Sequence, residues 1–517
     1  MPSIPILVAS ALLALVLWQY VTKRSKINPQ RLPLPPGPRP LPIIGNALDM
    51  PQEFPWKTFR EWTNKYGDLV HVNVVGQPIL VVGSAKVAYD LFERKSSIYS
   101  GRANSTMIID LMGWGWSFGM MNYGEQWKRH RKLFHQHFNQ NAVDKYQHIQ
   151  MRESRALLRR IRENPEKFMD HIRITFAATI MDIAYGIQVK DRTDEFITIA
   201  ESALEGLSEA AVPGAFLVDQ LPWLKYIPSW FPGAGFQKKA QEWAHLANEM
   251  PNKPFNAVKA AVKRGDARPS MVASLLENIT DESARSEDER LARNAAGVAY
   301  AGGADTTVAA VQSFFLAMLC HPGVQKKAQA EIASVVGRDH LPDFDVREQL
   351  PYINAIIKET MRWQPVTPLA VPHYTDVDDI YEGHYIPAGS IIMGNVWSML
   401  HDEEYYPNPS EFRPERFLLA DGTPNPDAKD PGAFAFGFGR RICPGRFLSD
   451  TSLYSVITSV LAVYDILPAL DANGKEEKVT PAWTTGLVQY PLPFRCRIVP
   501  RSKAAEGLIS HSGDHYA

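Results

Sequence analysis

The chain has 517 residues, of which 45% are hydrophobic and 21% charged, and this composition excludes a disordered or collagen-like protein. Lys plus Arg is 55 and Asp plus Glu is 56, so the net charge of -1 argues against nucleic acid as a partner. The three cysteines, Cys320, Cys443 and Cys496, are too scattered for a disulfide scaffold or a four-thiolate zinc site.

The N-terminal segment, residues 1–22, has no charged side chain and is followed by the basic residues Lys23, Arg24 and Lys26. As a helix, the apolar run Ile4–Val21 reaches about 27 Å, close to the roughly 30 Å hydrocarbon core of a bilayer. Because the positive charges follow the apolar run, a single transmembrane anchor is favoured over a cleaved signal peptide. The same charges place the body on the cytosolic side. A buried core helix is the alternative.

A proline-rich stretch, Leu32–Pro42, cannot be helical and favours an extended spacer between anchor and body. The body shows no internal repeat and no second linker, which predicts one large unit. The predicted organisation is a transmembrane anchor (1–22), a basic and proline-rich linker (23–46), one catalytic body (47–500) and a small, polar, flexible tail (501–517).

Helical patterns dominate the body, so the predicted fold class is mainly α with small β-sheets. Residues Gly67–Val82 read as a β-hairpin around a Gly-Gln-Pro turn. The predicted helices cover Glu125–Phe138, Tyr146–Glu163, Ile172–Tyr185, Arg290–Leu319, Val324–Val336 and Leu448–Tyr464. Prolines and glycines in Leu221–Gly235 predict a break between helices, and its tryptophans favour either contact with a membrane interface or an internal packing corner.

The segment Phe436–Gly445, FGFGRRICPG, combines features that suit a metal-binding cysteine. Gly437 and Gly439 allow a tight turn and a close backbone approach. Pro444 is predicted to be the first residue of a helix, which would place Cys443 at a helix N-terminus that favours a thiolate. Such a thiolate can bind iron, with Phe436 shielding it from water. The alternative for Cys443 is a buried structural thiol.

This segment resembles the heme-thiolate loop of the cytochrome P450 family, Phe-x-x-Gly-x-Arg-x-Cys-x-Gly, at Phe436, Gly439, Arg441, Cys443 and Gly445. The resemblance implies the cytochrome P450 fold, with heme b as cofactor and Cys443 as the axial ligand of its iron. No Cys-x-x-Cys-His occurs, so the heme is expected to be bound noncovalently. Phrases such as YSGR, LMGW and VPGAF resemble fungal microsomal members.

The stretch AGGADTT, Ala301–Thr307, interrupts a long apolar helix and resembles the family's central helix above the heme. Gly302 and Gly303 would leave room for dioxygen beside the iron. Asp305 and Thr306 are the predicted catalytic residues, because an acid beside an alcohol can deliver protons while dioxygen is activated. The alternative is a glycine-packed helix with a stray Asp-Thr pair.

Two further groups of residues match family positions. Glu359, Arg362 and Arg416 match a buried structural cluster that holds the ligand loop, although an ion pair at such spacing is by itself common. Four residues match the partners of the heme propionates, with solvated charges or a satisfied core histidine as alternatives: Trp127, Arg131, His373 and Arg441.

No flavin or nicotinamide motif is present, so electrons must come from another protein. The resemblance implies an NADPH-cytochrome P450 reductase, cytochrome b5 as a second candidate donor, and a single-pass position in the endoplasmic reticulum membrane. A basic patch for an acidic partner, or an ordinary solvated helix face, is predicted from Lys128, Arg129, Lys132, Arg440 and Arg446.

The predicted function is a heme-thiolate monooxygenase that inserts one atom of dioxygen into a lipophilic or aromatic molecule, in fungal secondary-metabolite tailoring or xenobiotic oxidation. The alternatives are a heme-thiolate isomerase or dehydratase that does not use dioxygen, which the Asp305-Thr306 pair disfavours, and a non-catalytic membrane heme-binding protein. By family position, the predicted substrate contacts are Ser105–Phe118, Ala299–Thr306, Val366–Val371 and Thr484–Val488.

Overall fold

Long helices form most of the chain that the computed structural model describes, which comprises residues 28, 30–191, 193–212 and 214–513. The predicted anchor, residues 1–22, lies outside these residues. The long helices are Pro55–Tyr66, Glu125–Phe138, Gln147–Glu163, Phe168–Tyr185, Glu195–Ala210, Gly235–Arg264, Arg285–Gly303, Thr306–Cys320, Pro322–Val336, Pro351–Trp363 and Arg446–Val463.

Short helical pieces connect these elements. The short α-helices are Ala85–Ala88, Ser96–Tyr99, Met271–Glu277, Val396–Leu400, Gly432–Ala435 and Lys503–His511, and π-helical turns cover Tyr89–Arg94 and Thr106–Leu111. The 3-10 turns are Trp114–Trp116, Asp144–Tyr146, Pro165–Lys167, Leu217–Asp219, Pro222–Tyr226, Phe344–Gln349, Pro414–Phe417 and Gly439–Arg441.

Three small sheets account for the named strands of the described residues: β1 Leu69–Val74, β2 Gln77–Val82, β3 His373–Tyr374, β4 Asp379–Tyr381, β5 His384–Ile386, β6 Ile391–Gly394, β7 Tyr464–Pro468 and β8 Cys496–Pro500. The first sheet has the order β1-β2-β6-β3, with β2 and β6 parallel, and the others pair β4 with β5 and β7 with β8.

The predicted hairpin is confirmed, since β1 and β2 are antiparallel with Val74 opposite Gln77. Its turn is formed by Val75 and Gly76, with φ of 50° and 90°, so of the predicted Gly-Gln-Pro turn only Gly76 belongs to it. Two successive positive φ values match the twist of a tight hairpin, and they place Gln77 already in the second strand.

Most predicted helices are confirmed within a few residues, but the long helix predicted over Arg290–Leu319 is two helices that meet at residues 304 and 305. The helix Gly235–Arg264 was not predicted, and it contains Pro251 and Pro254, which remove backbone donors. Both prolines are buried, so tertiary packing offsets the lost hydrogen bonds.

The helices Thr306–Cys320 and Arg446–Val463 are buried on nearly all sides and form the centre of one large hydrophobic cluster. Helices that are apolar all round belong in a core, because no face suits water. Within the described residues, the stretch Arg285–Cys320 is the one helical region long and apolar enough to cross a bilayer, and 72% of its most apolar window is buried inside the protein. Its composition therefore reflects the core.

The C-terminal segment was predicted to be a flexible tail, and this is wrong for Lys503–His511, which form a helix. Ala505 and Ile509 of this helix are buried in the same cluster as the central helices. Ser512 accepts a hydrogen bond of 2.9 Å from Arg159. The helix has only a short apolar face, which is too weak a sequence pattern to predict it, and packing of that face against the body stabilises the helix.

Candidate active site

The cysteine loop folds tightly against the preceding π-helical turn Tyr89–Arg94. Gly439 has a φ of 55°, and a Cβ there would lie 2.0 Å from the Phe92 carbonyl oxygen. Its N–H donates to Glu93 at 2.7 Å, while the Cys443 N–H donates to the Phe436 oxygen at 2.8 Å. Only glycine combines this conformation with such a close approach, so the loop depends on Gly439.

Cys443 lies just before the helix Arg446–Val463, whose N-cap is Gly445. Pro444 was predicted to be the first residue of this helix, but it precedes the helix. Removal from water raises the pKa of the Cys443 thiol, and this outweighs the Gly445 N–H and the Arg131 charge, which lower it. A metal ion bound at this sulfur would favour the thiolate, because a coordinating thiol is deprotonated.

Cys443 lines a cavity of about 360 Å³, a size within the range of small-molecule and cofactor sites. Phe436 and Gly437 line it on the cysteine side, and Gly302 and Thr306 line it from the central helices. The cavity therefore lies between the cysteine loop and the break in the central helix, as the resemblance implied for the heme.

Three arginines line this cavity: Arg102, Arg131 and Arg441. They donate to backbone carbonyls, among them Arg102 to Pro372 at 2.7 Å, Arg131 to Ile442 at 2.6 Å and Arg441 to Ser100 at 2.7 Å. None forms an ion pair with a carboxylate in the described part of the chain.

Burying a charge without a counter-charge is unfavourable in free energy, and the lowered pKa values of Arg102 and Arg441 reflect this. Burial and the neighbouring Arg441 hold the pKa of Arg102 well below its usual range, and burial with Arg131 lowers that of Arg441 to about 10. Two carboxylates placed here would compensate these charges, so the site fits the propionates of heme b. Sequence reasoning missed Arg102, which was quoted only as part of the phrase YSGR.

Trp127 and His373 complete this end of the cavity. The Arg441 guanidinium lies 4.6 Å from the ring centroid of Trp127. His373 Nδ1 is 2.6 Å from the Tyr99 carbonyl oxygen, and burial, with Arg102, keeps the pKa of His373 well below its usual value. Nδ1 must carry the proton, because the carbonyl can only accept, so Nε2 of the neutral ring is an acceptor. It can donate to a carboxylate only after the ring takes up a second proton.

The break in the central helix lies beside the cavity. The Thr306 hydroxyl donates to the Gly302 carbonyl at 2.7 Å, and a Cβ at Gly302 would meet nothing within 4 Å. At Gly303 the space is closed, since a Cβ would lie 3.1 Å from Ile180. Of the two glycines, Gly302 is the one whose missing side chain leaves open space in the cavity.

Asp305 and Thr306 are adjacent in sequence but differ in environment. Thr306 lines the cavity, whereas Asp305 does not. Asp305 Oδ1 lies 3.5 Å from Nη1 of Arg173, and the Arg173 guanidinium lies 5.1 Å from the centroid of the Tyr490 ring. Burial, followed by Asp305, raises the pKa of the Tyr490 hydroxyl. Sequence reasoning missed Arg173 and Tyr490, because no local pattern links either residue to Asp305.

The predicted Glu-Arg-Arg cluster is confirmed. Glu359 receives two bonds from Arg362, at 2.7 and 2.8 Å, and lies 3.1 Å from Arg416 Nε. Glu359 and Arg362 are fully buried. Arg362 also donates to the carbonyls of Leu400, at 3.2 Å, and Pro409, at 2.8 Å. The cluster therefore fixes the segment that leads toward the cysteine loop.

The cavity walls match the predicted substrate contacts in part. Phe118, Ala299, Val366 and Val371 line the cavity, but Thr484–Val488 do not. The helix Phe168–Tyr185 adds lining residues that were not predicted: Phe176, Thr179 and Ile180. Its pattern predicted only a core helix, since a face that lines a cavity is as apolar as one that packs in a core.

Two surfaces lie outside the cavity. The first is the segment Leu221–Gly235, called here the apolar insertion. Its side chains Trp223, Tyr226 and Trp230 are 60%, 79% and 78% exposed, which excludes an internal packing corner for these side chains. In the basic patch, Arg129 pairs with Glu287 at 2.7 Å, whereas Lys132 is exposed and forms no ion pair with a carboxylate of the described residues.

A partly buried cysteine that lines a cavity together with three arginines and the break in the central helix fits the heme-thiolate class of proteins. The chain belongs to the cytochrome P450 family, whose model, described as Cytochrome P450, matches residues 35–496.

Curated relatives match along nearly their whole length. The chain is 44% identical to cytochrome P450 monooxygenase 98 of Postia placenta over 492 residues, which cover 95% of this chain and 94% of the relative. It is 41% identical to cytochrome P450 monooxygenase ple1 of Rhodocybe pseudopiperita, over 98% of this chain and 96% of the relative. It is also 41% identical to tryptamine 4-monooxygenase of Psilocybe cyanescens, over 97% and 99% of the two chains.

The protein is accordingly a cytochrome P450 monooxygenase, an oxidoreductase that incorporates oxygen into its substrate. Its relatives are named monooxygenases, which supports this function over a heme-thiolate isomerase or a non-catalytic heme-binding protein. The family uses heme b, dioxygen and electrons from NADPH through a reductase. When bound, the heme activates dioxygen at its iron, and the cysteine ligand favours O–O cleavage.

Proposed function

We propose that this enzyme hydroxylates a small, apolar, ring-containing secondary metabolite in the cavity above Cys443. The apolar wall carries the proposal, because Phe118, Ile180, Val298 and Val366 offer no charge to a substrate. Thr179 and Thr367 add hydroxyl groups that can orient a polar substituent. A relative is named for action on tryptamine, an aromatic amine of this size class.

The experiment is a binding screen on the purified heme-loaded enzyme. Indole amines, sesquiterpenes and aromatic polyketides are titrated while the heme absorption reports displacement of water from the iron. We expect saturable shifts for compounds of at most three rings, and the hits are then incubated with reductase, NADPH and isotope-labelled dioxygen. One labelled oxygen in the product is expected, and turnover without incorporation of label contradicts the proposal.

We propose that Thr306 and Asp305 deliver protons to the cavity. The Thr306 hydroxyl is held at the break in the central helix, where it can exchange its bond to the Gly302 carbonyl for one to a cavity water. Asp305 directly precedes Thr306 in the chain, and its side chain is 18% exposed and paired with Arg173, so water can reach the carboxylate. The carboxylate can take protons from water and pass them inward.

The cavity cations that have no carboxylate partner among the described residues suggest the propionate partners. We propose that Arg102, Arg131 and Arg441, with Trp127, would bind the heme propionates, that His373 would join them once its Nε2 is protonated, and that Phe436, Gly437 and Gly439 shape the cysteine loop. These assignments predict that single substitutions of the arginines release heme faster, and heme transfer to an acceptor apoprotein measures that rate.

We propose a single-pass position in the endoplasmic reticulum membrane, with the body on the cytosolic side and the apolar insertion in the lipid interface. Residues 1–22 supply an uncharged span, and Trp223, Trp230 and Phe231 are exposed aromatic side chains of the kind that prefer interfaces. A fluorophore at Trp230→Cys in nanodiscs should be quenched by brominated lipid, whereas one at Leu419→Cys, also a partly exposed apolar site, should not.

We propose that the reductase, and cytochrome b5 as a second donor, bind the basic patch that includes Lys132 and Arg440. Both residues are exposed, and Arg440 donates to the Tyr123 hydroxyl at 2.6 Å, which keeps its charge near the cysteine loop. Charge reversal by Lys132→Glu should raise the KM for reductase and flatten its dependence on salt. Unchanged reductase kinetics would refute this surface.

A further inference from the structure

Trp116 is held by an unusual partner on a distant helix. Its indole Nε1 donates to the Ala247 carbonyl at 3.1 Å, although Ala247 lies inside the helix Gly235–Arg264. A carbonyl in a helix interior normally accepts from the N–H four residues later. The Ala247 carbonyl would therefore be expected to accept a hydrogen bond from its own helix and not from Trp116.

Pro251 explains why this carbonyl is free. Residue 251 is four positions after Ala247, and proline has no N–H to donate. Ala247 is fully buried, so without the indole its carbonyl would lack a donor away from water. The proline creates the acceptor, and Trp116 satisfies it.

Gly297 makes room for the indole on a third element, the helix Arg285–Gly303. A Cβ at Gly297 would lie 2.8 Å from Cζ3 of Trp116 and 2.8 Å from Cβ of Pro251. Neither contact can be relieved by a flexible chain end, because both atoms belong to rings. The indole, the proline and the glycine therefore interlock, and we call this arrangement the Trp116 interlock.

The Trp116 interlock lies outside the cavity but next to its walls. Phe118 and Met120 follow Trp116 in the chain and line the cavity, and Val298 and Ala299 follow Gly297 and also line it. The interlock therefore sets the distance between a wall made by a loop and a wall made by the central helix.

We propose that Trp116, Pro251 and Gly297 are positioning residues that determine substrate size selectivity by fixing the loop wall against the central helix. The proposal rests on the proposed location of substrate in this cavity. A single hydrogen bond of this kind contributes about 1 kcal/mol, so its loss is expected to change the binding of a wall-contacting ligand about fivefold.

The test uses two azoles that bind heme iron and differ in reach, imidazole and 4-phenylimidazole, with the full-length heme-loaded enzyme. Trp116→Phe keeps an aromatic ring and removes the N–H. We expect the Kd of 4-phenylimidazole to rise about fivefold and that of imidazole to change less than about twofold. Trp114→Phe is the matched control, because the buried Trp114 Nε1 has no hydrogen-bond partner among the described residues and its ring stacks on Trp116 at 5.3 Å.

A second variant tests the cause. Pro251→Ala returns an N–H to the helix, so the Ala247 carbonyl no longer needs the indole. In the double variant Trp116→Phe with Pro251→Ala, the loss of 4-phenylimidazole binding is expected to fall to less than half of that in Trp116→Phe alone. Equal losses in the two backgrounds, or equal effects of Trp116→Phe and Trp114→Phe, overturn the proposal.

If Trp116→Phe does not retain heme, the variant Gly297→Ala tests the proposal by itself. Gly323→Ala is its control, because a Cβ at Gly323 meets nothing within 4 Å. Gly297→Ala should change the ratio of the two azole affinities, and an unchanged ratio overturns the proposal. These readouts use no substrate, so they are independent of whether the proposed hydroxylation is found.

Discussion

Asp305 and Arg173 form an ion pair, with 3.5 Å between Oδ1 and Nη1, that joins the break in the central helix to the helix Phe168–Tyr185. Arg173 thus holds the carboxylate of Asp305, which does not line the cavity that its neighbour Thr306 lines. Any proton that Asp305 delivers must be released from a position set by Arg173.

Removal of the carboxylate should slow turnover more than removal of its partner. Asp305→Asn is expected to lower kcat by about 100-fold, in the range of a lost acid, and to enlarge the solvent isotope effect. Arg173→Leu should lower kcat by less and increase hydrogen peroxide release per NADPH. Arg94→Leu, which breaks the surface pair with Asp90, is the control. An unchanged isotope effect in Asp305→Asn would exclude the acid from proton delivery.

The conformation of Gly439 predicts a sharp difference between two loop glycines. Gly439→Ala combines left-handed strain with overlap on the Phe92 carbonyl and should cost about 3 kcal/mol in the free energy of unfolding. Gly437 also has a positive φ, of 74°, but a Cβ there meets nothing within 4 Å. Gly437→Ala should therefore cost about 1–2 kcal/mol. Denaturant titration, followed by the loss of the ferrous carbonyl spectrum, gives the free energy of unfolding of each variant. Equal losses in Gly439→Ala and Gly437→Ala would contradict this explanation.

Neutralising Glu359 leaves the buried Arg362 and Arg416 without a counter-charge. We expect Glu359→Gln to destabilise the fold by about 3–5 kcal/mol, measured by denaturant titration. Glu382→Gln, at the exposed pair with Lys86, should have no measurable effect. If Glu359→Gln were as stable as the parent enzyme, the cluster would not hold the segment that Arg362 binds.

Arg102 should contribute more to heme retention than to the stability of the protein without heme. Arg102→Leu removes a cation that has no carboxylate partner in the described residues, so the apoprotein should lose only the hydrogen bonds that Arg102 donates to the Val371 and Pro372 carbonyls. The heme affinity should fall about tenfold, as expected for one charge-assisted hydrogen bond. Heme transfer rates and apoprotein melting separate these effects, and equal loss in both would contradict the assignment.

His401 predicts part of the acid sensitivity. Burial, followed by the nearby Arg362, lowers the pKa of His401 to about 3. The unfolded chain, with a histidine pKa of about 6.5, binds this proton first as the pH falls. Stability is therefore lost as the pH falls below about 6.5 toward the folded value, by at most about 1.4 kcal/mol per pH unit.

His401→Phe keeps a ring on Trp397, which His401 stacks against at 4.0 Å, and should flatten this slope. The free energy of unfolding is measured at about pH 6.5 and about pH 5, two points inside the window between the unfolded pKa of about 6.5 and the folded pKa of about 3. An equal slope in the variant would assign the acid sensitivity to other buried histidines, such as His71 and His137, whose pKa values burial lowers to about 4.

The sequence by itself determined the family, the cysteine loop and most of the helices, because these depend on local chemistry. The spacing from Phe436 to Gly445 and the apolar pattern of Glu125–Phe138 each lie within a short stretch of chain. Local pattern also led to an error, since the small, polar residues of Lys503–His511 predicted a tail where a helix packs on the body. The helix Gly235–Arg264, which contains two buried prolines, was not predicted.

Only the tertiary structure decided which distant groups meet. Arg102 faces the same cavity as Arg441, Asp305 pairs with Arg173, and Trp116 reaches the carbonyl that Pro251 leaves free. Each pair lies on separate elements, and no local pattern encodes the distance between them. These contacts depend on the packing of whole helices, which buries charges and carbonyls that must then find partners across the fold.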